Sequence, residues 1–218
     1  MSELILAVDT THEFGSIALT RGEQTIEEVL LHAPDGFGHV LYEHLERLLD
    51  RHGTGIADIA CFAGASGPGS FTGVRVGLAC VKGLAHAQGR LAVGVSNLEV
   101  LSTFGSLPLR AVVVDARRGD VYGAVYDNRR RLVAPETVSR FAAWLDTLPP
   151  GDLEFIGTDL GPFVPALAGR RTTTAPRAIA AAVARIALER LQSGEAMDPA
   201  SVDANYVRRS DAELFWRE

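Results

Sequence analysis

Twice along this chain an apolar run ends in aspartate, turns, and returns as a strand. The first instance is "LILAVDT" at 4–10, followed by "THEF" and "GSIALT"; the second is "LRAVVVDARRGDVYGAVYD" at 109–127. A continuous apolar run marks a strand buried on both faces, and a strand that turns back within a few residues pairs antiparallel. "IEEVLL" at 26–31 extends the first meander after the turn "RGEQ", and "LVAPETV" at 132–138 extends the second. Between them Leu41, Leu45, Leu48 and Leu49 recur at helical spacing, with Glu43, Glu46, Arg47 and Asp50 on the other side. That pattern predicts an amphipathic helix from Gly38 to His52, stopped by Gly53. "IADIACFAG" reads as a strand, Thr72 to Gln88 as a helix, "LAVGVS" as a strand and Asn97 to Phe104 as a short helix.

After the second meander come a helix at Arg140 to Leu145, the strand "LEFIGT", and the alanine-rich "PRAIAAAVARIALERLQSG" at 176–194. In that last stretch Pro176 fits the first turn of a helix and Gly194 the position just past its end. The repeated order predicts an α/β protein of two similar lobes, each a mixed sheet with flanking helices. The expected boundary lies near Gly105 to Pro108, giving an N-terminal lobe of residues 1–107 and a C-terminal lobe of 108–218, whose last segment, "VDANYVRRSDAELFW", is a candidate to fold back on the first lobe.

With 218 residues, 47% of them hydrophobic and 22% charged, the chain has enough apolar side chains for a substantial core. Its longest apolar runs are too short to cross a bilayer, so no membrane partner is expected. The opening "MSELILAVDT" has no basic n-region, which gives a cytoplasmic expectation. Cys61 and Cys80 lack metal-type spacing and read as buried, reduced thiols. A net charge of −6 argues against bulk attraction to nucleic acid. The basic clusters "NRRRL" at 128–132, Arg117-Arg118, Arg170-Arg171 and Arg208-Arg209 read first as solvated loops and helix ends.

Three constellations could carry chemistry. "GASGPGSFTGVRVGLACVKG" at 64–83 is a glycine-rich passage from a strand into a helix, where phosphate is often held. It lacks the lysine of a phosphate loop, since the one lysine, Lys82, lies well down the helix, and it lacks the dinucleotide glycine spacing. Its glycines therefore read as a tight turn followed by a helix that another helix can approach closely. Asp9 and Asp115, one per lobe at the carboxyl end of a strand, are placed to face each other across a cleft and suit a magnesium-nucleotide. Turn capping accounts for them equally well. His39 and His44 are five apart on a helix, about 140° out of register, so no metal site is expected. No Ser-His-Asp or Cys-His set can be assembled.

"LILAVDTT" at 4–11, "GPGSFTGVRVGL" at 67–78, "GVSNLEVL" at 94–101 and "VVDARRGDVYGAVYD" at 113–127 together resemble the TsaB (YeaZ) family over nearly the whole chain. The resemblance implies the actin-like ATPase (ribonuclease H-like) fold and a role in making threonylcarbamoyladenosine, the modified base beside the anticodon of certain tRNAs. It implies a non-catalytic subunit, with no catalytic residues of its own. The implied partners are the catalytic paralogue TsaD, the ATPase TsaE and tRNA reached through the complex, with a homodimer when isolated. The partner-binding surface it implies is the two helices of the first lobe, and within them Leu41, Leu45, Leu48, Val74, Leu78 and Val81. The run Asp9-Thr10-Thr11-His12 lacks the early glycine of a working phosphate loop. Asp9, Thr10, Thr11 and Asp115 are accordingly expected to be vestigial nucleotide positions, with no cofactor beyond a weak magnesium-nucleotide contact at a subunit interface. The alternatives are a degenerate actin-like ATPase and, further off, a metallopeptidase.

Overall fold

The computed structural model describes residues 2–207. They divide into two units, one of residues up to Val100 together with Arg177–Ala204, the other of Leu101–Pro176 with the residues after Ala204.

In the first unit β1 (Leu4–Asp9), β2 (Phe14–Arg21) and β3 (Gln24–His32) form the antiparallel meander. Helix α1 (Leu41–Arg51) leads to β4 (Cys61–Ala65), parallel to β1, and α2 (Phe71–Ala87) leads to β5 (Leu91–Val95), parallel to β4. The sheet order is β3-β2-β1-β4-β5. β1 is buried from Ile5 to Asp9, as a central strand covered on both sides must be. Leu6 and Val8 join the core of α1 and α2; the pleat turns Ile5 and Ala7 to the opposite face. The leucine stripe Leu41, Leu45, Leu48 and Leu49 is the buried side of α1, and Gly53, at φ 55°, ends that helix in the left-handed region.

After α3 (Asn97–Ser102), the second unit repeats this plan. β6 (Leu109–Asp115), β7 (Asp120–Asp127) and β8 (Leu132–Arg140) are antiparallel. α4 (Phe141–Leu145) precedes β9 (Leu153–Gly157), parallel to β6, and β10 (Arg171–Thr174) is parallel to β9. Read from the far edge the order is β8-β7-β6-β9-β10, strand for strand that of the first sheet. Trp144 anchors the core with Phe155, Phe163 and Val125; a side chain at Gly123 would meet its indole at 2.4 Å. Glu154 on β9 is buried, and its carboxylate accepts hydrogen bonds from Ser106 N (2.5 Å), Leu107 N (2.8 Å) and Thr173 Oγ1 (2.5 Å). Burial pushes this carboxyl up, but the hydrogen bonds from Thr173, Leu107 and Ser106 outweigh it and hold the group below the usual carboxylate range. The chain entering β6 is thereby tied to β9 and β10.

The expected division at 107/108 differs from the structure at its C-terminal side. α5 (Ala180–Gln192), assigned from sequence to the second lobe, packs on β1, β2, β4 and β5 of the first. It has no capping side chain of its own. Ser16 Oγ on β2 accepts from Ile179 N (3.0 Å) and Ala180 N (2.9 Å), and Glu28 on β3 accepts from Ala181 N (2.8 Å), so the first sheet satisfies the open amides of the helix. Beyond it Lys82 on α2 donates to the carbonyls of Ala200 (3.3 Å) and Val202 (2.7 Å). Val202 is buried on this unit and Ala204 packs against the same core, so the start of the expected fold-back segment lies on the first lobe; its residues from Arg208 on lie outside the described residues.

Candidate functional site

The carboxyl end of β1 and the glycine loop after β4 meet within the first unit. At the turn after β1, Asp9 Oδ1 accepts from Thr11 N (2.9 Å) and from Thr11 Oγ1 (2.6 Å). Asp9, Thr10 and Thr11 are 2%, 1% and 0% exposed. Burial pushes the Asp9 carboxyl up from its ordinary value, opposed by the nearby His12 and by the Thr11 hydrogen bonds.

The glycine loop closes over this turn. Ser70 N donates to the Thr11 carbonyl at 2.6 Å, and Thr10 Oγ1 donates to the Gly73 carbonyl at 2.7 Å. A Cβ on Gly73 would lie 2.0 Å from the Thr10 carbonyl oxygen, and one on Gly77 2.4 Å from Thr10 Oγ1. Gly69 faces the Thr11 carbonyl in the same way. These glycines are needed because the chain's own Asp-Thr-Thr turn runs against them. This corrects the expectation that they open α2 to another helix; only Gly83, with nothing within 4 Å, leaves that surface bare.

Asn97 locks the two pieces together. Its side-chain amide donates to Thr11 Oγ1 at 2.5 Å, its Oδ1 accepts from Gly67 N at 3.0 Å, and its own N–H donates to the Gly67 carbonyl at 2.8 Å. Asn97 is 1% exposed, and the sequence marks it only through its place in "GVSNLEVL". That signal is positional: an asparagine at the junction of a buried strand and a helix, where a short polar side chain bonds backbone groups. At the N-terminus of α2, Ser70 Oγ accepts from Gly73 N at 3.3 Å. The donors that could face an anion there thus include two, Ser70 N and Gly73 N, already bonded within the chain.

Asp115 lies in the other unit, at the matching end of β6, and is exposed; it accepts from Arg117 N at 2.8 Å. The six side chains expected to bind a partner are placed differently from that expectation. Leu41, Leu45, Leu48, Val74, Leu78 and Val81 all belong to the buried core of the first unit. The reason is the amphipathic rule itself: a leucine stripe is the face a helix buries at home. Among the residues that α1 and α2 expose are Tyr42, Phe71, Arg75, Ala79 and Gly83. The Arg75 guanidinium sits 3.6 Å over the Phe71 ring, and the Tyr42 hydroxyl on α1 lies beside the Cys80 thiol on α2. Both cysteines are free and buried; burial pushes the Cys61 thiol up to about 12 and the Cys80 thiol up to about 11. Among the described residues no three His, Cys, Asp or Glu side chains group closely enough to hold a metal ion, and no helix is long and apolar enough to cross a membrane.

Residues 36–199 match the family model described as TsaD, tRNA N6-adenosine threonylcarbamoyltransferase. A Bacillus subtilis (strain 168) protein named tRNA threonylcarbamoyladenosine biosynthesis protein TsaB is 33% identical over 162 residues, which cover 71% of each chain. The solved structure of YeaZ from Pseudomonas aeruginosa superposes with a TM-score of 0.79 at 25% identity, over 94% of this chain and 99% of that one. An activator of 2-hydroxyisocaproyl-CoA dehydratase from Clostridium difficile, solved with bound ADPNP, shares the fold at a TM-score of 0.52 and 10% identity, over 88% and 97% of the two chains. The duplicated mixed sheets are those of the actin-like ATPase fold.

Proposed function

This chain belongs to the TsaB (YeaZ) family of tRNA threonylcarbamoyladenosine biosynthesis proteins, and from that premise we propose that it is a non-catalytic subunit that binds the TsaD-type transferase. The observation that carries the reading is the closed state of the Asp9 site. The Asp9 carboxylate is bonded to Thr11, and the glycine loop against it is filled by Thr10 and Thr11 of the same chain. A working phosphate site keeps such amides and such a carboxylate open to nucleotide and magnesium. In this reading Asp9, Thr10 and Thr11 hold the first unit together, and Asp115 is a turn residue.

The partner then meets the outer face of α1 and α2, around Tyr42, Phe71, Arg75 and Ala79, instead of the buried leucines and valines. A homodimer of the isolated chain would use the same face. A TsaE-type ATPase and tRNA join through the assembled complex, in the cytoplasm. The test is co-elution with the transferase on size exclusion. Tyr42→Glu with Ala79→Glu, both at exposed positions, should abolish the complex while leaving the melting temperature within a few degrees of the parent. An unchanged complex assigns the contact to another surface. A degenerate ATPase is the second reading, favoured only by the position of Asp9 at the end of β1; it requires turnover of magnesium-ATP that is lost in Asp9→Ala.

A further inference from the structure

The β6–β7 turn presents two arginines in a conformation that arginine does not favour. Arg117 and Arg118 have φ of 65° and 57°, followed by Gly119 at 81°. Positive φ crowds an L side chain against its own backbone, and tight hairpins of this kind ordinarily place asparagine or glycine there. The turn is built to hold them. Asp115 Oδ1 accepts from Arg117 N at 2.8 Å, Asp120 N donates to the Arg117 carbonyl at 3.0 Å, and Ala116 N donates to the Asp120 carbonyl at 3.0 Å. From β8 the Arg140 guanidinium donates to the Arg118 carbonyl and reaches Asp120 at 3.4 Å. Gly119 is glycine because its φ of 81° lies where L side chains are strained, and the Arg140 guanidinium occupies the space a Cβ would take.

Each nearby carboxylate is thus engaged: Asp115 with a backbone amide, Asp120 with Arg140. The Arg117 and Arg118 side chains are exposed, and neither guanidinium has a partner among the described residues. Two unpaired positive charges, fixed side by side at a hairpin tip, do nothing for the sheet that asparagines would not do better. They match a run of phosphates. The charge balance agrees, since residues 101–176 carry nine arginines against eight carboxylates in a chain of net charge −6.

We propose that the β6–β7 turn, through Arg117 and Arg118, contacts the phosphate backbone of the RNA on which the complex acts. The inference rests on the reading that this chain works in tRNA modification. Phosphate contacts by paired arginines fix position without reading sequence, and their signature is salt dependence.

The test is a fluorescence-anisotropy titration of a labelled, unmodified tRNA transcript at several salt concentrations. It compares the full-length parent with Arg117→Asn/Arg118→Asn, each alone and with the TsaD-type transferase. Because asparagine tolerates positive φ, the double variant melts at or above the parent temperature. It binds the transcript about tenfold more weakly, and its plot of log affinity against log salt is shallower by about 1.4. Equal affinity and slope for the two proteins overturns the proposal, as does a parent that binds no RNA in either setting. Unchanged RNA binding with lost transferase binding also overturns it, making the turn a protein contact. Co-elution with the transferase is read on the same samples. A chain that fails to co-elute yet keeps the RNA difference contradicts the subunit reading and leaves this one standing.

Discussion

The first turn of each unit is the same device in two settings. β1 and β6 are both buried runs that end in aspartate, and in both the carboxylate accepts the amide two residues on, at 2.9 Å for Asp9 and 2.8 Å for Asp115. Yet Asp9 is sealed and Asp115 faces solvent. The difference lies in the connection that leaves the neighbouring parallel strand. After β4 the chain makes a glycine loop and the 17-residue α2, enough to fold back over the first turn. After β9 it makes a three-residue helical turn at Gly161–Phe163 and goes directly toward β10. The fate of a strand-end aspartate is therefore set by the connection beside it and not by its own turn.

That contrast can be broken at the glycines. Gly73→Val forces a side chain onto the Thr10 carbonyl, where backbone cannot yield, and should cost about 4 kcal/mol or more in urea unfolding of the first unit. Asn97→Ala removes the tie between the turn and the loop, leaving Gly67 N and Thr11 Oγ1 short of a partner; the loss should be about 2 kcal/mol by the same measurement.

The buried carboxyls of the two units should respond to pH in opposite senses. Glu154 is held below its ordinary value, so its contribution is present above the ordinary carboxylate range and is lost as pH falls through its depressed value. Glu154→Gln should cost about 2 kcal/mol at neutral pH, with the gap from the parent closing in acid. Asp9 is raised, so its contribution is fullest in acid and declines as pH rises through its folded value. Asp9→Asn should thus gain on the parent as pH rises. The smallest effect sharpens the comparison from outside: Gly83→Ala, on the bare side of the same helix, should stabilise by about 0.5–1 kcal/mol, opposite in sign to Gly73→Val.

Much of this plan is legible in the sequence because it rests on local patterns. The apolar runs ending in Asp9 and Asp115 locate the duplicated strands, the leucine stripe locates α1, and Gly53 marks its end. The destination of α5 is not legible, because an alanine-rich helix buried nearly all round carries no directional stripe, and its caps, Ser16 and Glu28, lie more than 150 residues away. The burial of the six side chains expected at the partner surface goes unread for a related reason: hydrophobic periodicity marks the side of a helix that is buried, without saying by what. The glycine loop reads as an entry to a close-packed helix, but its actual neighbour, the Asp-Thr-Thr turn, is fixed only by long-range contacts such as Thr10 Oγ1 to Gly73 O.

The central claim is that the Asp9 turn and its glycine cover are a structural lock in a subunit that leaves the chemistry to its partner. The direct measurement is reconstituted threonylcarbamoylation of a tRNA transcript, with this chain supplied as parent or as Asp9→Asn alongside the transferase and ATPase. Asp9→Asn keeps the oxygen that Thr11 bonds and removes the charge that magnesium or catalysis would need. The account predicts the same yield of modified tRNA from both proteins; a variant that melts like the parent and joins the complex, yet loses most of that yield, would contradict it.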